Sequence, residues 1–298
     1  MNKWIKLNSI IWLWIAGMLF VGSPSWATPP ENPDSIIQRV VSLAPNITEI
    51  LYRIDAGDRL VGRTEFCLYP PAARKIPTVG GYLNVDYEKI VSLKPELVLL
   101  LPNPEMERKL QMLNLRIFTV SNETIEEILQ SITAIGRILN KTDKAREVVE
   151  GIQDTLTWIK EHQISRERIS TLIVIGRESG SLRGLYVAGK NTYLSELVEL
   201  CGGKNAFGDV PLRYFEVSRE DLLTRNPELI LEFRIIDNPN PEQTIADLTR
   251  DWQALSQLRA VATSHIYIFS ERAFLIPGPR VSEAAWKLFQ LFQQVGHD

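Results

Sequence analysis

Glu88-Lys-Ile-Val-Ser-Leu-Lys-Pro-Glu-Leu-Val-Leu99 and Glu220-Asp-Leu-Leu-Thr-Arg-Asn-Pro-Glu-Leu-Ile-Leu231 are two versions of one segment, 132 positions apart. The same gap-free register aligns Tyr82 with Tyr214 upstream. Each copy follows a capping residue, continues as a short amphipathic stretch, and reaches a Pro that precedes an apolar run. This order predicts a short helix that leads into a buried strand. The chain uses this unit twice, so we expect two similar lobes.

The rest of the chain alternates between strand-like and helical patterns. Strand-like runs at 39–44, 59–63, 97–101 and 116–120 are separated by helical stretches. A second such series begins at 171–175 and closes with a helix at 281–295. Alternation of this kind is typical of a mainly parallel sheet covered by helices. The two series therefore predict two Rossmann-like α/β lobes.

A long helical region separates the two series. Apolar residues repeat at intervals of three and four from Ile125 to Ile159, with a new helix start at Thr142. We therefore predict a lead segment at 28–38, an N-terminal lobe at 39–121, a bridging helical region at 122–163 and a C-terminal lobe at 164–298. Ligands of open α/β sheets bind beyond the carboxyl ends of the strands, so we expect the ligand cleft between the lobes.

Composition and the N-terminus limit the class of protein. With 298 residues, 45% of them apolar, the chain can build a sizeable core, and its formal charge of -3 argues against nucleic-acid binding. Lys3 and Lys6 precede an apolar run, and Ser25-Trp26-Ala27 supplies small residues at the positions that a signal peptidase reads. This pattern predicts a secretory signal at 1–27, cleaved after Ala27, and a mature protein that is soluble in a periplasm.

Cysteine and histidine usage gives no sign of a metal site or a resident cofactor. The two cysteines, Cys67 and Cys201, fall in different lobes and permit one disulfide in an oxidising compartment. Two buried free thiols are the favoured interpretation. The histidines His162, His265 and His297 are too scattered along the chain to form a metal cluster.

Several motifs of the chain resemble those of one protein family, and they occur along the chain in the same order as in that family. They are Arg39-Val-Val-Ser-Leu-Ala-Pro-Asn-Ile-Thr-Glu49, Val79-Gly-Gly-Tyr82, Glu199-Leu-Cys-Gly-Gly-Lys-Asn-Ala-Phe207, Val217-Ser-Arg-Glu220 and Pro277-Gly-Pro-Arg280. They are similar to the helix-linked periplasmic binding proteins of ABC importers, which carry cobalamin, ferric siderophores or haem. The resemblance covers essentially the whole mature chain and is greatest to the cobalamin-binding branch.

The resemblance implies a docking role for the repeated glutamates. In this family a carboxylate on each lobe pairs with arginines of a dimeric inner-membrane permease, which works with ATPase subunits. Glu88 and Glu220 occupy those positions of the motif. The alternative is that each Glu only stabilises its own helix through the helix dipole. A partner with two equal subunits presents the same arginines twice, and a two-lobed protein can bind them with one carboxylate on each lobe. We therefore favour docking.

The resemblance also implies where the ligand binds. The candidate contacts are Phe66, Tyr69, Tyr82, Tyr186, Tyr214, Phe274 and Arg280. Aromatic rings suit a flat macrocycle because they supply contact area at low entropic cost. In the cobalamin branch, the positions of Phe66 and Tyr82 carry aromatics that contact the ligand. We therefore expect a monomer that binds a cobalamin-type corrinoid, with a ferric siderophore second and haem third.

Two other functions stay open at this point. An exported α/β enzyme is disfavoured because the sequence has no GxSxG elbow, no HExxH and no P-loop, so no catalytic residues are assigned. A ligand sensor or chaperone that never docks on a permease would keep the fold and lose the roles of Glu88 and Glu220.

Overall fold

The computed structural model describes residues 36–163, 167–236 and 240–296. The predicted signal sequence at 1–27 lies outside the described residues. In the described part of the chain, the fold is α/β with two sheets, as the alternating pattern predicts. Each sheet is the centre of one lobe, and a pair of helices runs between the lobes.

The N-terminal lobe is built on a fully parallel sheet with the strand order β2-β1-β3-β4. Its strands are β1 Val40–Ser42, β2 Leu60–Arg63, β3 Leu97–Leu100 and β4 Ile117–Thr119. Its helices are α1 Pro45–Arg53, α2 Tyr87–Ser92 and α3 Pro104–Met112. Strands β1 and β3 are fully buried, because they lie in the middle of the sheet with helices on both faces.

The bridge consists of two helices, α4 Ile125–Ile138 and α5 Thr142–His162, and α5 begins where the sequence predicts a new helix start. At 21 residues, α5 is about 30 Å long. The two helices cross closely at Gly136, where a Cβ atom would come within 2.3 Å of the Ala145 Cβ. Gly136 is therefore the residue that lets α4 and α5 pack against each other.

Helix α4 is fastened to both lobes. At its start, the Ile125 N–H donates to the Glu196 carboxylate of the C-terminal lobe at 2.6 Å. At its end, the Arg59 guanidinium donates to the Leu139 carbonyl at 2.8 Å and also reaches the N-terminal lobe's Ile37 carbonyl. The bridge thus fixes the lobes relative to each other at two separate points.

The C-terminal lobe has a mixed sheet with the order β10-β9-β5-β6-β8, and a further strand, β7, pairs with the start of β5. Its strands are β5 Ile169–Gly176, β6 Tyr186–Ala188, β7 Gly203–Asn205, β8 Tyr214–Glu216, β9 Leu229–Phe233 and β10 Ile266–Phe269. Its helices are α6 Tyr193–Leu200, α7 Arg219–Arg225, α8 Pro241–Asp251, α9 Arg259–Ala262 and α10 Val281–Val295. Strand β6 runs antiparallel to both β5 and β8. Strands β6, β7 and β8, each of three residues, are not among those predicted from the sequence.

The duplicated segment has the same backbone course in both lobes. The turns that follow α2 and α7 contain Lys94 and Asn226, which have positive φ angles of 48° and 43°. Each of these two residues is followed by the repeated Pro-Glu pair and then by the first residue of the buried strand. Inside the helices, Ile90 and Leu222 take the same buried position. The structure therefore repeats the unit as well as the sequence does.

The second glutamate of each repeat has a structural role in starting the neighbouring strand. The Glu96 carboxylate accepts from the Arg39 N–H at 2.9 Å, directly before β1. The Glu228 carboxylate accepts from the Ser170 N–H at 2.9 Å in β5, and also pairs with Arg259 at 2.7 Å. Each carboxylate therefore stabilises the start of the first strand of its lobe.

Both cysteines are buried free thiols, in agreement with the favoured interpretation of the sequence. Cys67 lies 3.1 Å from the Thr64 hydroxyl in the N-terminal lobe. Cys201 lies at the end of α6, where burial raises the pKa of its thiol to about 12. A thiol with such a high pKa is nearly all protonated at neutral pH and is therefore unreactive.

We expect Glu96→Ala and Glu228→Ala each to lower the free energy of unfolding by about 1 kcal/mol, because each change removes a carboxylate acceptor from a backbone N–H. Urea unfolding of the mature protein measures this. Glu150→Ala, at an exposed position of α5, is the control and should leave the midpoint unchanged. Equal stability of all three variants would contradict the role assigned to the second glutamate.

Candidate functional site

The loop after β2 holds two of the predicted ligand contacts. Arg63, at the end of β2, is buried and donates to the carbonyls of Ala73, Thr64 and Arg74 at 2.7 to 3.1 Å. The connection between β2 and α2 consists of two loops, and these bonds fix the first of them from the inside. Phe66 and Tyr69 project from it with 49% and 46% of their surface exposed.

The neighbouring loop of the same lobe presents Tyr82, which is 41% exposed. The Glu65 N–H donates to the Gly80 carbonyl at 3.0 Å and so ties the two loops together. Gly80 has a φ of +89°, and a Cβ there would meet the Asn84 carbonyl oxygen at 2.2 Å. Only glycine fits this turn. The structure therefore places Phe66 and Tyr82 on adjacent, fixed loops, as exposed rings.

Arg280 connects the two lobes. It precedes α10 in the C-terminal lobe, and its guanidinium makes a two-point hydrogen bond to the Glu49 carboxylate of α1, at 2.8 and 2.5 Å. It also lies 4.2 Å from the centre of the Tyr69 ring, a cation–π contact. Burial raises the pKa of Glu49, and the hydrogen bond from Arg280 opposes that rise. The planar guanidinium suits this bidentate contact, so Arg280 holds the lobes together here.

A cavity of about 180 Å³ lies beside this ion pair, lined partly by Tyr52, Tyr69 and Pro279. Pockets for drug-sized ligands usually measure about 300 to 1,000 Å³. This cavity is therefore too small for a macrocycle. A large ligand needs the open surface that Phe66 and Tyr82 border.

A second polar contact lies at the start of the bridge, between the bridge and the C-terminal lobe. The Tyr193 N–H, at the first residue of α6, donates to the Glu123 carbonyl at 2.6 Å. Tyr214, on β8, is half-buried, and its phenol lies beside the Glu123 carboxylate. Burial and this carboxylate both raise the pKa of Tyr214. Tyr214 therefore belongs to the junction between the bridge and the C-terminal lobe.

The remaining candidates lie in different surroundings. Tyr186 begins β6 opposite Gly176, at the carboxyl end of β5, and is 44% exposed. Phe274 is fully buried and packs against Phe233 and Phe269, with ring centres 5.0 and 4.6 Å away. The expectation that Phe274 touches a ligand is wrong for this arrangement, because the ring fills the core of the C-terminal lobe.

Glu88 and Glu220 are exposed, and neither carboxylate makes an ion pair or hydrogen bond with any residue that the structure describes. Other residues cap their helices. The Asp86 side chain accepts from the Lys89 N–H, and Ser218 with Asp221 forms a capping box on α7. Capping of α2 and α7 therefore does not require either glutamate.

Two functional residues of the lobe junction are missing from the sequence prediction. Glu49 lies on the buried face of α1, between the apolar residues Ile47 and Ile50, and is 4% exposed. A carboxylate on an apolar helix face is a detectable signal for a buried partner. Glu123 offers no such signal, because it acts chiefly through its backbone carbonyl.

Two further properties concern the described residues alone. They contain no group of three or more His, Cys, Asp or Glu side chains arranged to hold a metal ion. In the same ranges, no helix combines the length and the hydropathy needed to cross a membrane.

We expect the Glu49–Arg280 contact to show strong energetic coupling. Glu49→Ala and Arg280→Ala should each lower the free energy of unfolding by about 2 to 4 kcal/mol, since each leaves a largely buried charge unpaired, and the double variant should lose less than the sum. Urea unfolding of the four proteins gives the coupling energy. The exposed pair Glu105 and Lys109 serves as the control cycle and should show no resolvable coupling. If the losses of unfolding free energy in the two single variants were additive in the double variant, the role assigned to the Glu49–Arg280 contact would be contradicted.

Known proteins share both the sequence pattern and the fold. The chain is 28% identical over 280 residues to the vitamin B12-binding protein of Vibrio parahaemolyticus, with 93% of this chain and 95% of that protein covered. It is 28% identical over 265 residues to the vitamin B12-binding protein of Photorhabdus laumondii, with 84% and 91% covered.

Solved structures extend the comparison to the fold. The periplasmic vitamin B12 binding protein BtuF of Vibrio cholerae superposes with a TM-score of 0.74 at 26% identity, covering 88% of this chain and 99% of that one. The periplasmic haem-binding protein RhuT from Roseiflexus sp. RS-1 has a TM-score of 0.73 at 20% identity, covering 87% and 99%, which shows a shared fold alone. Residues 40–273 match the family model of the periplasmic binding proteins. The chain therefore belongs to the periplasmic binding protein family, which confirms the family that its motifs indicate.

Proposed function

We propose that this protein captures a cobalamin-type corrinoid between its two lobes and delivers it to a dimeric inner-membrane ABC permease with its ATPase subunits. The observation that carries the proposal is the pair of exposed rings, Phe66 and Tyr82, on adjacent fixed loops of one lobe. Relatives that cover most of this chain are named vitamin B12-binding proteins, which favours a corrinoid as the ligand. It acts as a carrier in the periplasm, exported by the signal at 1–27, and not as an enzyme.

The rings fit the chemistry of a large, partly flat ligand. Phe66, Tyr69 and Tyr82 all lie in the connection that follows the carboxyl end of β2 and leads to α2. Their loops are held by backbone hydrogen bonds and by buried Arg63, so little ordering is required when a ligand binds. Tyr186 supplies a fourth exposed ring from the C-terminal lobe.

Ferric siderophores and haem are the second candidates. Haem would use Tyr or His as its axial ligand. Of the predicted tyrosines, Tyr214 has its phenol beside Glu123 and Tyr69 lies under Arg280, so Tyr82 and Tyr186 are the better placed for haem. A siderophore provides the iron coordination itself and requires only aromatic and cationic contacts. The ranking remains cobalamin, then siderophore, then haem.

The delivery step rests on Glu88 and Glu220. They are exposed at matched positions on two lobes, and their side chains have no partner among the described residues. A carboxylate in this state is ready to accept a bidentate arginine of another protein. Two equal carboxylates fit a permease with two equal subunits.

Calorimetry with cobalamin, haemin and a ferric hydroxamate siderophore tests the ligand. We expect cobalamin to bind with the smallest Kd, and Phe66→Ala and Tyr82→Ala each to weaken it about tenfold by removing a buried aromatic contact. Met112→Ala, at an exposed site on α3, is the control and should bind as the unmodified protein does. Absence of a cobalamin signal, or tighter binding of either other ligand, would overturn the choice.

Charge reversal tests delivery. We expect Glu88→Arg with Glu220→Arg to reduce cobalamin uptake at least about tenfold in the cells that produce this protein, since the paired charges would then repel. The Kd for cobalamin should stay the same. The control is Glu150→Arg with Glu242→Arg, two exposed carboxylates outside the repeat. Undiminished uptake in the Glu88 and Glu220 variant would contradict docking and leave ligand binding in place.

A further inference from the structure

Two exposed aliphatic residues occupy one position of the repeat. Val91 on α2 is 43% exposed and Leu223 on α7 is 39% exposed. They stand three residues after Glu88 and Glu220, so the register that matches the glutamates also matches them. A single exposed aliphatic residue is ordinary in a folded protein. Two of them at one repeat position, each beside an unpaired carboxylate, require a common reason.

The spacing places each aliphatic residue on the same outer face as its glutamate. Residues three apart on a helix are neighbours, with Cβ atoms about 5 to 6 Å apart. The inward face of each helix is held by a different residue, Ile90 in α2 and Leu222 in α7, and both are buried. Val91 therefore lies beside Glu88, and Leu223 beside Glu220, on the outer face of its helix. Neither aliphatic residue anchors its helix to the core.

The other exposed positions of the two helices are matched differently from the glutamates and the aliphatic residues. Lys89 of α2 is matched by Asp221 of α7, with the opposite charge. Ser92 is matched by Thr224, and each hydroxyl donates to a carbonyl of its own helix, so neither is free for a partner. The two lobes thus share a carboxylate and an aliphatic side chain on this face, while the surrounding charges have diverged. Val91 and Leu223 also belong to none of the apolar core clusters of the described residues.

We propose that Val91 and Leu223 are the apolar half of a two-part docking surface, in which Glu88 and Glu220 are the charged half. The partner is a membrane complex with two equal subunits, each presenting a cation and, about one helical turn away, an apolar side chain. This inference rests on the proposed function, because it deepens the docking role of the two glutamates.

The physical reason for such a pair is that an exposed ion pair alone contributes little affinity. Water screens the charges, and holding two long side chains in place has an entropic cost. An aliphatic contact at the edge of the ion pair excludes water, which strengthens the pairing and adds apolar burial. Duplication of the contact on two lobes then lets both sites bind one rigid partner together, with a gain from effective concentration.

The test replaces the aliphatic residues and leaves the glutamates intact. In the cells that produce this protein, Val91→Ser with Leu223→Ser should reduce cobalamin uptake about tenfold, since each change removes an apolar contact from one of two linked sites. The swap Val91→Leu with Leu223→Val keeps both contacts apolar and should support full uptake. The control is Met112→Ser with Leu113→Ser, two exposed apolar residues outside the repeat.

Two further measurements on the same purified proteins separate docking from folding and from the ligand. Thermal unfolding and the Kd for cobalamin should be unchanged in the serine variant, because both positions are exposed. Light scattering of the unmodified protein reports self-association, and a dimer that the serine variant abolishes would assign this face to a second copy and overturn the inference.

The outcomes also distinguish this inference from the proposed function. Full uptake by the serine variant, together with loss of uptake in the charge-reversed variant, overturns the apolar contact and keeps the docking of Glu88 and Glu220. Full uptake by both variants overturns docking as a whole. Loss of uptake that accompanies a lower unfolding temperature or a weaker cobalamin Kd assigns Val91 and Leu223 a structural role and overturns the inference.

Discussion

The continuous apolar core that passes through the helical bridge is the constraint on which the rest of the molecule depends. Buried residues of α1, of α4 and α5, and of α6 and α10 belong to one cluster, so the two lobes share a core through the bridge. Gly136 permits the close crossing of α4 and α5 that this requires. A change in the angle between the lobes would have to break apolar contacts along the bridge. The geometry of the cleft is therefore largely set before a ligand arrives.

The lobes also meet directly at one polar contact, and a second polar contact joins the bridge to the C-terminal lobe. Arg280 joins Glu49 on one side, and the Tyr193 N–H joins the Glu123 carbonyl on the other. Both contacts are between groups of fixed position, at a helix end or on a buried helix face. Arg280, which the resemblance implies as a ligand contact, is engaged between the lobes in this structure.

The duplicated segment shows how one repeat is divided between folding and function. Its inner side builds the lobes: Ile90 and Leu222 anchor the helices, and Glu96 and Glu228 hold the neighbouring strands. Its outer side carries Glu88 and Glu220, which folding does not use. The repeat in the sequence does not distinguish these roles, because matched residues show only that a position is the same in both copies and not whether it serves folding or function.

By itself, the sequence determined the α/β class, the two lobes, the helical bridge, the strands β3 and β9, and the family. These follow from local patterns that are long enough to be periodic, and from motifs that need no partner. Only the tertiary structure decided which of the candidate side chains are exposed and which are buried. Phe274 and Phe66 look alike in the sequence, yet Phe274 fills the core of the C-terminal lobe and Phe66 is exposed on a loop. Burial and pairing are set by residues far away in the chain, as between Glu49 and Arg280, and no local pattern contains that information.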